Sequence, residues 1–309
     1  MKFSFYTDIH LTDNIPCHRI DNYINILCQK VQSVYDISVQ NGCDFVTFGG
    51  DLFDRHIIGS NIVVDSVEDS MEKSGLITYA CIGEHDLYGH SPDTFPASTL
   101  AHLCRHTPSL RILWKPQKIG DDVVIYGKHE WQTMDEIAKT EVDPSKYNIL
   151  LCHELLYDKK MSFSTTYTKD LVLPFDLVCS GDLHCGYKPH KVGKTWYCNP
   201  GSLARKATSD AKRMPKILLI ETYKGHDPYI HEQILPGFKR GNEVFSVGIS
   251  EVVRKFESEV DMTKFVKGFD ELVCERTDIY ELFDAYRQNN EVKKDVVEYM
   301  ADVKKRLGK

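Results

Sequence analysis

This chain of 309 residues lacks the features that mark several classes of protein. No apolar stretch reaches the ~18 residues of a membrane-spanning helix, so we expect no membrane contact. The first residues lack the apolar core and the small-residue cleavage site of a signal peptide, which favours a cytoplasmic protein. Ten cysteines occur without a CxxC pair, so we expect reduced thiols and no structural zinc ribbon. Internal repeats are also absent, which excludes a repeat architecture.

Acidic residues outnumber basic ones, 45 to 38, but one segment is an exception. The formal net charge of −7 argues against indiscriminate binding of nucleic acid, although it does not exclude local recognition. Between Cys185 and Lys216, eight basic residues are accompanied by one acidic residue, Asp210; the basic ones are Lys188, Lys191, Lys194, Arg205, Lys206, Lys212, Arg213 and Lys216. Such a segment is either a phosphate-binding surface or an ordinary solvated loop, and the sequence leaves both interpretations open.

The pattern of apolar residues predicts an α/β fold. Up to about Leu235, strand-like and helix-like segments alternate, and helices are predicted over Ile20–Val39, Val63–Lys73 and Thr99–Arg105. Shorter strands are predicted later in the chain, over Leu110–Leu113, Asp122–Tyr126, Thr195–Cys198, Lys216–Thr222 and Tyr229–Leu235. This order indicates a pair of mixed sheets flanked by helices.

Pro236-Gly237 is typical of a turn between structural elements. We therefore predict a main domain over 1–236 and a C-terminal module over 237–309. The segment from Ser250 to Lys309 contains no proline, is rich in charge and has helical periodicity. We therefore expect a small helical module. Its apolar faces either pack on the main domain or dock onto a partner.

Five apolar runs each end in residues that commonly bind metals. The runs and the residues that follow them are Phe3–Tyr6 before Asp8 and His10, Phe45–Phe48 before Asp51, Ile77–Ile82 before Glu84, His85 and Asp86, Ile149–Cys152 before His153, and Leu177–Ser180 before Asp182 and His184. Near-continuous apolar runs are typical of strands buried on both faces. Open α/β sheets bind ligands at the carboxyl ends of such strands. The sequence therefore predicts a site for two metal ions, with Asp51 as the best candidate for a bridging carboxylate.

In this order, the motifs resemble those of the calcineurin-like metallophosphoesterases, which are marked by DxH, GDxxD, GNH(D/E), a lone histidine and GHxH. The match spans residues 8 to 184 and implies a four-layer α-β-β-α sandwich of two mixed sheets. It also implies two divalent cations, one held by Asp8, His10, Asp51 and His184, the other by Asp51, Glu84, His153 and Asp182. By the same resemblance, His85 protonates the leaving oxygen or stabilises the charged transition state, and Asp86 orients it. The alternative for His85 is a turn residue that is hydrogen-bonded to the backbone.

Two positions depart from the pattern of that family. Glu84 stands where the family usually has asparagine, and Asp182 stands where it usually has histidine. A site so rich in carboxylate favours Mn²⁺, or Mg²⁺, over Zn²⁺. The added negative charge also makes a bound cation a weaker Lewis acid, so a much reduced activity is one expectation.

Within the family, the chain most resembles the SbcD type of DNA repair exonuclease subunit, in the compact form found in bacteria and their phages. The resemblance rests on Thr7–Leu11, on Gly49–Asp54 and on an NPGS turn, Asn199–Ser202, that basic residues follow. It implies hydrolysis of DNA in repair, recombination or replication, an SbcC-like coiled-coil ATPase as partner, and a homodimer. Lys188, Arg205 and Lys206 are then predicted to bind the DNA backbone.

Two rival interpretations stay open. A phosphomonoesterase or a small-molecule phosphodiesterase would use the same site, and Asp54-Arg55 is similar to the GDxxDRG turn of protein phosphatases, although His56 replaces its glycine. A weakly active or non-catalytic subunit, which binds DNA or regulates the ATPase, is suggested by Glu84 and Asp182.

Overall fold

Residues 1–246 form one compact unit, and the computed structural model describes residues 1–16, 18–159, 166–237 and 239–246 of it. From residue 247 onward, the predicted helical module and its docking role lie outside the described residues. The short helix Gly241–Val244 contacts the turn Thr208–Lys212 of the main domain, and Phe245 forms an isolated bridge with Arg19. The division of the chain at residue 236 stays a prediction.

The described part of the chain contains the following strands and α-helices. The strands are β1 (Lys2–Tyr6), β2 (Phe45–Phe48), β3 (Thr78–Ala80), β4 (Leu110–Ile112), β5 (Gln117–Ile119), β6 (Val123–Lys128), β7 (Tyr147–Cys152), β8 (Leu156–Tyr157), β9 (Thr166–Tyr167), β10 (Leu177–Ser180), β11 (Tyr187–Val192), β12 (Thr195–Asn199), β13 (Lys216–Glu221) and β14 (Tyr229–Ile234). The helices are α1 (Tyr23–Gln40), α2 (Asn61–Ser74), α3 (Thr99–His106), α4 (Met134–Ala138) and α5 (Gly241–Val244). In these ranges, no helix combines the length and the apolarity that crossing a membrane requires.

Helix α1 shows why the predicted helices form and where they begin. Leu27 and Val31, one helical turn apart, are both fully buried. The side chain of Asn22 accepts a hydrogen bond from the amide of Asn25 and caps the first turn. Because this cap starts the helix at residue 23, Ile20 falls before the helix and is 60% exposed.

The strands form two six-stranded mixed sheets and a two-stranded sheet of β8 and β9. The strand order is β14-β13-β1-β2-β3-β4 in the first sheet and β11-β12-β10-β7-β6-β5 in the second. In the first sheet β1 to β4 run parallel, while β13 and β14 are antiparallel additions. In the second sheet β6, β7, β10 and β12 run parallel. The predicted pair of mixed sheets is confirmed.

One buried cluster lies between the sheets, where Phe3, Phe5 and Phe45 of the first pack with Ile149 and Leu151 of the second. A second cluster joins the outer face of the first sheet to α1, α2 and α3. A third joins the outer face of the second sheet to α4 and to the loops around it. The predicted four-layer sandwich is therefore confirmed. Within the described ranges, the α-helical part of its last layer is the five-residue helix α4.

Hydrogen bonds connect the loops that follow the parallel strands. The amide of Gly49 donates to the carbonyl of Tyr6, at 3.0 Å, and the amide of Gly181 donates to the carbonyl of Cys152, at 2.8 Å. Between the two sheets, Nδ1 of His153 lies 2.8 Å from the carbonyl oxygen of Gly49. The carboxyl ends of β1, β2, β7 and β10 thus meet at one edge of the sandwich, as the sequence predicts.

Candidate metal centre

Six of the predicted side chains meet at this edge. They form three overlapping groups whose ligand atoms lie within 4.8 Å of one another: Asp8, His10 and His184; His10, Asp51 and His85; and Asp8, Asp51 and His153. Asp51 and Asp8 each belong to two groups. A carboxylate shared in this way is able to contact two cations, which fits the bridging role predicted for Asp51.

The backbone at these positions is strained. Among the described residues, five other than glycine have positive φ, and four of them are predicted ligands: Asp8 at 50°, His10 at 46°, Asp51 at 59° and Asp182 at 71°. The left-handed region costs about 1–2 kcal/mol for a residue with a side chain. Hydrogen bonds stabilise this backbone conformation. The amide of Asp8 donates to the carbonyl oxygen of Gly50 and the amide of His10 donates to that of Asp51, both at 3.1 Å. Strain of this kind commonly concentrates at functional sites.

Glycine at position 83 makes room for the central carboxylate. A Cβ atom added there would lie 2.1 Å from Oδ1 of Asp51, far inside van der Waals contact. We therefore expect Gly83→Ala to displace that carboxylate and to weaken cation binding at least about 10-fold, the effect typical of losing support for a ligand. Isothermal titration with Mn²⁺ measures the change. Gly59→Ala, where the backbone is not left-handed and an added Cβ would lie 3.3 Å from the end of the Asp13 side chain, controls for a general effect of alanine. Equal affinities in Gly83→Ala and the native protein would contradict the steric argument.

The imidazoles point their free nitrogens toward the carboxylates. Nδ1 of His153 donates to the carbonyl oxygen of Gly49, so Nε2 is the ring nitrogen that faces Asp51, 3.5 Å from its Oδ2. Nε2 of His153 is buried without a hydrogen-bond partner among the described residues. Nε2 of His10 and Nε2 of His184 lie only 2.9 Å apart. Nitrogen atoms that converge in this way are well placed to share one cation.

The electrostatics of the site also fit bound cations. Burial raises the pKa of Asp8 to about 6 and raises that of Asp51 well above its ordinary value, because charge is poorly solvated there. Burial lowers the pKa of His153, but Asp51, Asp8 and Asp182 outweigh it and raise the pKa to about 9. A pair of divalent cations would neutralise these buried carboxylates. The residues present therefore fit the two-cation site.

In the metal-free protein, His153 should stay protonated above neutral pH. The neighbouring carboxylates of Asp51, Asp8 and Asp182 raise its pKa to about 9, against the effect of burial. The folded state thus keeps a proton on His153 that the unfolded state loses near the ordinary pKa of histidine, so the contribution of this one group to stability decreases as the pH rises toward 9. NMR of the ring protons in EDTA should show this late titration, and saturating Mg²⁺ should abolish it, because a bound cation takes the place of the proton. Titration of His153 in EDTA at or below the ordinary pKa of histidine would contradict the argument.

His85 is oriented by the backbone of a neighbouring loop. Its Nδ1 donates to the carbonyl oxygen of Asp54 at 2.7 Å, and its amide donates to Oδ1 of Asp51 at 2.9 Å. The prediction that Asp86 orients His85 is wrong. Oδ2 of Asp86 accepts hydrogen bonds from the amides of Gly83 and Asp51, at 3.0 and 3.1 Å, because it caps the turn on which His85 lies. Asp86 thus supports the loop rather than the imidazole.

The two carboxylates that depart from the family pattern lie beside the cluster. Neither Glu84 nor Asp182 belongs to the groups of candidate ligands found among the described residues. The side chain of Glu84 is 42% exposed, and its Oε1 lies 3.5 Å from Nε2 of His85. The amide of Asp182 donates to the carboxylate of Asp8, at 3.1 Å to Oδ2. Ligation by Glu84 and Asp182 stays a prediction.

The predicted DNA-binding residues have different environments. Arg205 is 2% exposed, and its guanidinium donates to the carbonyl oxygens of Ala211 and Lys239. Its predicted role in binding DNA is therefore wrong, since it stabilises the loop from inside. Lys206 is half-buried and forms an ion pair with Asp54 at the edge of the site.

The basic segment as a whole is only partly available to an anion. Lys191, Lys206, Arg213 and Lys216 form ion pairs with acidic residues. Lys188, Lys194 and Lys212 are exposed, and they have no ion pair within the described ranges. These three lysines are the part of the predicted surface that is able to meet phosphates without losing an existing partner.

Two residues that sequence analysis overlooks support the ligands from behind. Lys128, 1% exposed at the end of β6, donates to the carbonyl of His153 at 3.1 Å and pairs with Glu154 at 2.5 Å. Ser202 donates from Oγ to the carbonyl of Asp8 at 2.7 Å. Lys128 could have been found from the sequence, because it is a charged residue at the end of an apolar strand. Ser202 lies within the NPGS turn.

Comparison with known proteins agrees with this geometry. The sequence profile of the calcineurin-like phosphoesterases matches residues 1–186. A dimetal phosphatase from Danio rerio has a similar fold, with a TM-score of 0.50 and 8% sequence identity over 76% of this chain and 96% of that one. Yfce, a phosphoesterase from E. coli, is similar at a TM-score of 0.35 and 12% identity, over 72% of this chain and 89% of that one. No curated protein sequence matches the chain. Since the profile spans more than half of its length, this chain belongs to the calcineurin-like phosphoesterase family.

Proposed function

We propose that this phosphoester hydrolase is a DNA nuclease subunit of the SbcD type. It would cleave phosphodiester bonds with two divalent cations, Mn²⁺ rather than Mg²⁺, and would act as a homodimer with an SbcC-like coiled-coil ATPase in DNA repair, recombination or replication. The observation that carries the chemistry is the buried cluster in which Asp51 is shared between candidate ligand groups. The substrate class rests on two further observations, on the mouth of the site and on the NPGS turn.

The side chains of this chain have separate tasks in the reaction. Asp8, His10, Asp51, His153 and His184 would hold the cations. When bound, two cations neutralise the charge on the phosphate oxygens and activate a water molecule. His85 has its Nδ1 hydrogen committed to Asp54, so its Nε2 is the atom that can hold a proton for the leaving oxygen.

The mouth of the site is open enough for a polymer. The side chains of His184, Glu84 and His85 are 45%, 42% and 35% exposed, although they lie beside fully buried ligands. A deep pocket that encloses its ligand is typical of enzymes for small molecules. Partly exposed site residues at an open edge instead favour a polymeric substrate whose backbone passes across the site.

The NPGS turn contacts the metal centre directly. Oδ1 of Asn199 accepts from the amide of Gly201 at 2.7 Å, which shapes the turn. Gly201 has a φ of +82°, a conformation that favours glycine. Ser202 then reaches the carbonyl of Asp8. This turn is one of the features on which the resemblance to SbcD-type nucleases rests, and its position supports that branch of the family.

A panel of substrates tests the proposal. With Mn²⁺, and separately with Mg²⁺, the protein should degrade end-labelled linear duplex and single-stranded DNA. It should act poorly on p-nitrophenyl phosphate and on a cyclic dinucleotide. Asp51→Asn protein, purified in parallel, controls for a contaminating nuclease. Hydrolysis of p-nitrophenyl phosphate without cleavage of DNA would establish the phosphomonoesterase alternative instead, and preference for the cyclic dinucleotide would establish the small-molecule phosphodiesterase.

One observation favours a subunit of low activity, since Glu84 and Asp182 lie outside the groups of candidate ligands. The double substitution Glu84→Asn with Asp182→His introduces the residue types usual in the family. If the native protein is an active nuclease, the double variant should change kcat by no more than about 100-fold, the upper end of the range for altering groups around a metal. Appearance of nuclease activity only in the double variant would establish the non-catalytic alternative. The metal content of both proteins, measured by mass spectrometry, shows whether the substitutions add a cation.

A further inference from the structure

An aromatic pair lies on the two loops that carry the central residues of the site. The ring centroids of His56 and Tyr88 are 5.0 Å apart, with an angle of 59° between the planes. Tyr88 is 66% exposed, whereas His56 is half-buried. A large aromatic ring that is so exposed, and that another ring supports from one side, is able to receive a planar ligand on its free surface.

The backbone of both residues is fixed. The amide of Tyr88 donates to Oγ1 of Thr94 at 3.0 Å, and the carbonyl of His56 accepts from the amide of Thr99 at 2.7 Å. Thr94 in turn donates to the carbonyl of Ser91 at 2.6 Å. The backbone that carries the two rings is therefore set by the fold, while the outer ring is left to solvent. Such preorganisation lowers the entropic cost of binding a ligand.

Both residues of the pair lie close in the chain to the reacting groups. Tyr88 follows His85 by three residues, so their Cα atoms are at most about 11 Å apart. His56 follows Asp54 by two residues, and the carbonyl of Asp54 is the atom that orients His85. Arg55, between them, has a side chain that is 49% exposed and forms an ion pair with Asp13. An aromatic surface beside a phosphoester site is therefore the feature that fits single-stranded nucleic acid, whose bases stack on aromatic side chains.

We propose that Tyr88 and His56 form a nucleobase-binding platform, on which an unpaired base next to the scissile phosphate stacks. This inference rests on the proposed nuclease function and adds to it the state of the substrate, since stacked neighbours cover both faces of a base inside a continuous duplex. Stacking tolerates every base because each has a π-face, so the platform holds the strand without reading its sequence. The platform thereby selects ends, gaps or frayed duplexes over continuous duplex.

Three variants test the platform on single-stranded oligonucleotides with Mn²⁺. Tyr88→Ala should raise KM by roughly 5- to 150-fold, the range for losing one base–aromatic stack, and Tyr88→Trp should keep the native KM within about 3-fold. Tyr229→Ala is the matched control, because Tyr229 is 65% exposed on the edge strand β14 and lies on neither of these loops. The same substrates are then made with one abasic position, moved stepwise along the strand.

The abasic series separates stacking from mere support of the loop. At one position, removal of the base should raise the native KM as much as Tyr88→Ala does, and the two changes together should have no larger effect than either alone. Equal losses for Tyr88→Ala on all substrates, with or without the base, would show a structural role and overturn the platform. So would an unchanged KM in Tyr88→Ala. If the native protein cleaves no DNA but hydrolyses another phosphoester, the nuclease proposal itself fails, and the native control reveals this separately.

Discussion

The variant Asp51→Asn should lose phosphoester hydrolysis by at least about 1,000-fold, because the cation pair supplies several kcal/mol of transition-state stabilisation and each 1.4 kcal/mol is tenfold in rate. Oδ2 of Asp51 lies within 3.8 Å of His10 and within 3.5 Å of His153. The amide of asparagine keeps the shape of the side chain but removes the charge that two cations would share. Asparagine also tolerates the left-handed backbone at this position, so the fold should survive.

Turnover, metal content and circular dichroism together check this expectation. The variant should contain fewer than two cations per chain and should have the spectrum of the native protein. Asp69→Asn is the matched control, because Asp69 lies on the surface of α2 and pairs with Lys73. Retention of both cations with normal turnover would show that Asp51 does not bridge.

The variant His85→Ala should reduce kcat on DNA by about 100- to 10,000-fold, the range for losing a general acid, and should keep both cations. Nδ1 of His85 is occupied by Asp54, which leaves Nε2 for the leaving oxygen. A general acid matters most when the leaving group is a poor one. The loss should therefore be much smaller on bis-p-nitrophenyl phosphate, whose leaving group needs no proton.

Metal content again distinguishes the alternatives for His85, because the side chain also lies within 4.8 Å of candidate ligands His10 and Asp51. Loss of one cation in His85→Ala, together with equal losses on both substrates, would make His85 a ligand instead of an acid. His90→Ala is the control, since His90 is exposed on the same loop and pairs with Glu130.

The site could be predicted from the sequence because its residues follow buried strands. The apolar runs that end before Asp8, Asp51 and His153 become β1, β2 and β7, and parallel strands bring their carboxyl ends to one edge without further information. The helices over 23–40, 61–74 and 99–106 were predicted to within three residues at each end, since their apolar spacing is regular.

Strands and helices without a clear pattern of apolar residues were missed, because the prediction depends on that pattern. Strand β5 has three half-exposed or exposed residues, and β11 is an edge strand whose central residues are mostly polar, so neither contains an apolar run. Helix α4 is short, but Thr133 and Glu136 form a capping box that marks its start and could have been recognised.

The remaining errors arose because tertiary contacts determine what these side chains bind. Arg205 looks like a phosphate-binding residue in a basic segment, yet its guanidinium is buried against carbonyl oxygens. Asp86 follows His85 directly, yet its carboxylate caps a turn. In both cases the partner is a backbone atom from a distant or folded-back segment, and local sequence does not encode which backbone groups will need a partner.

The left-handed backbone at the four predicted metal ligands has a consequence for the rate at which the protein takes up cations. Hydrogen bonds within the protein already hold Asp8, His10 and Asp51 in this conformation, so an arriving ion meets donors that need no rearrangement of the main chain. The rate of uptake should then be set by how fast the ion sheds its own water. Mg²⁺ gives up its hydration shell reluctantly, so exchange experiments should fill the centre with Mn²⁺ first, even where Mg²⁺ is in large excess.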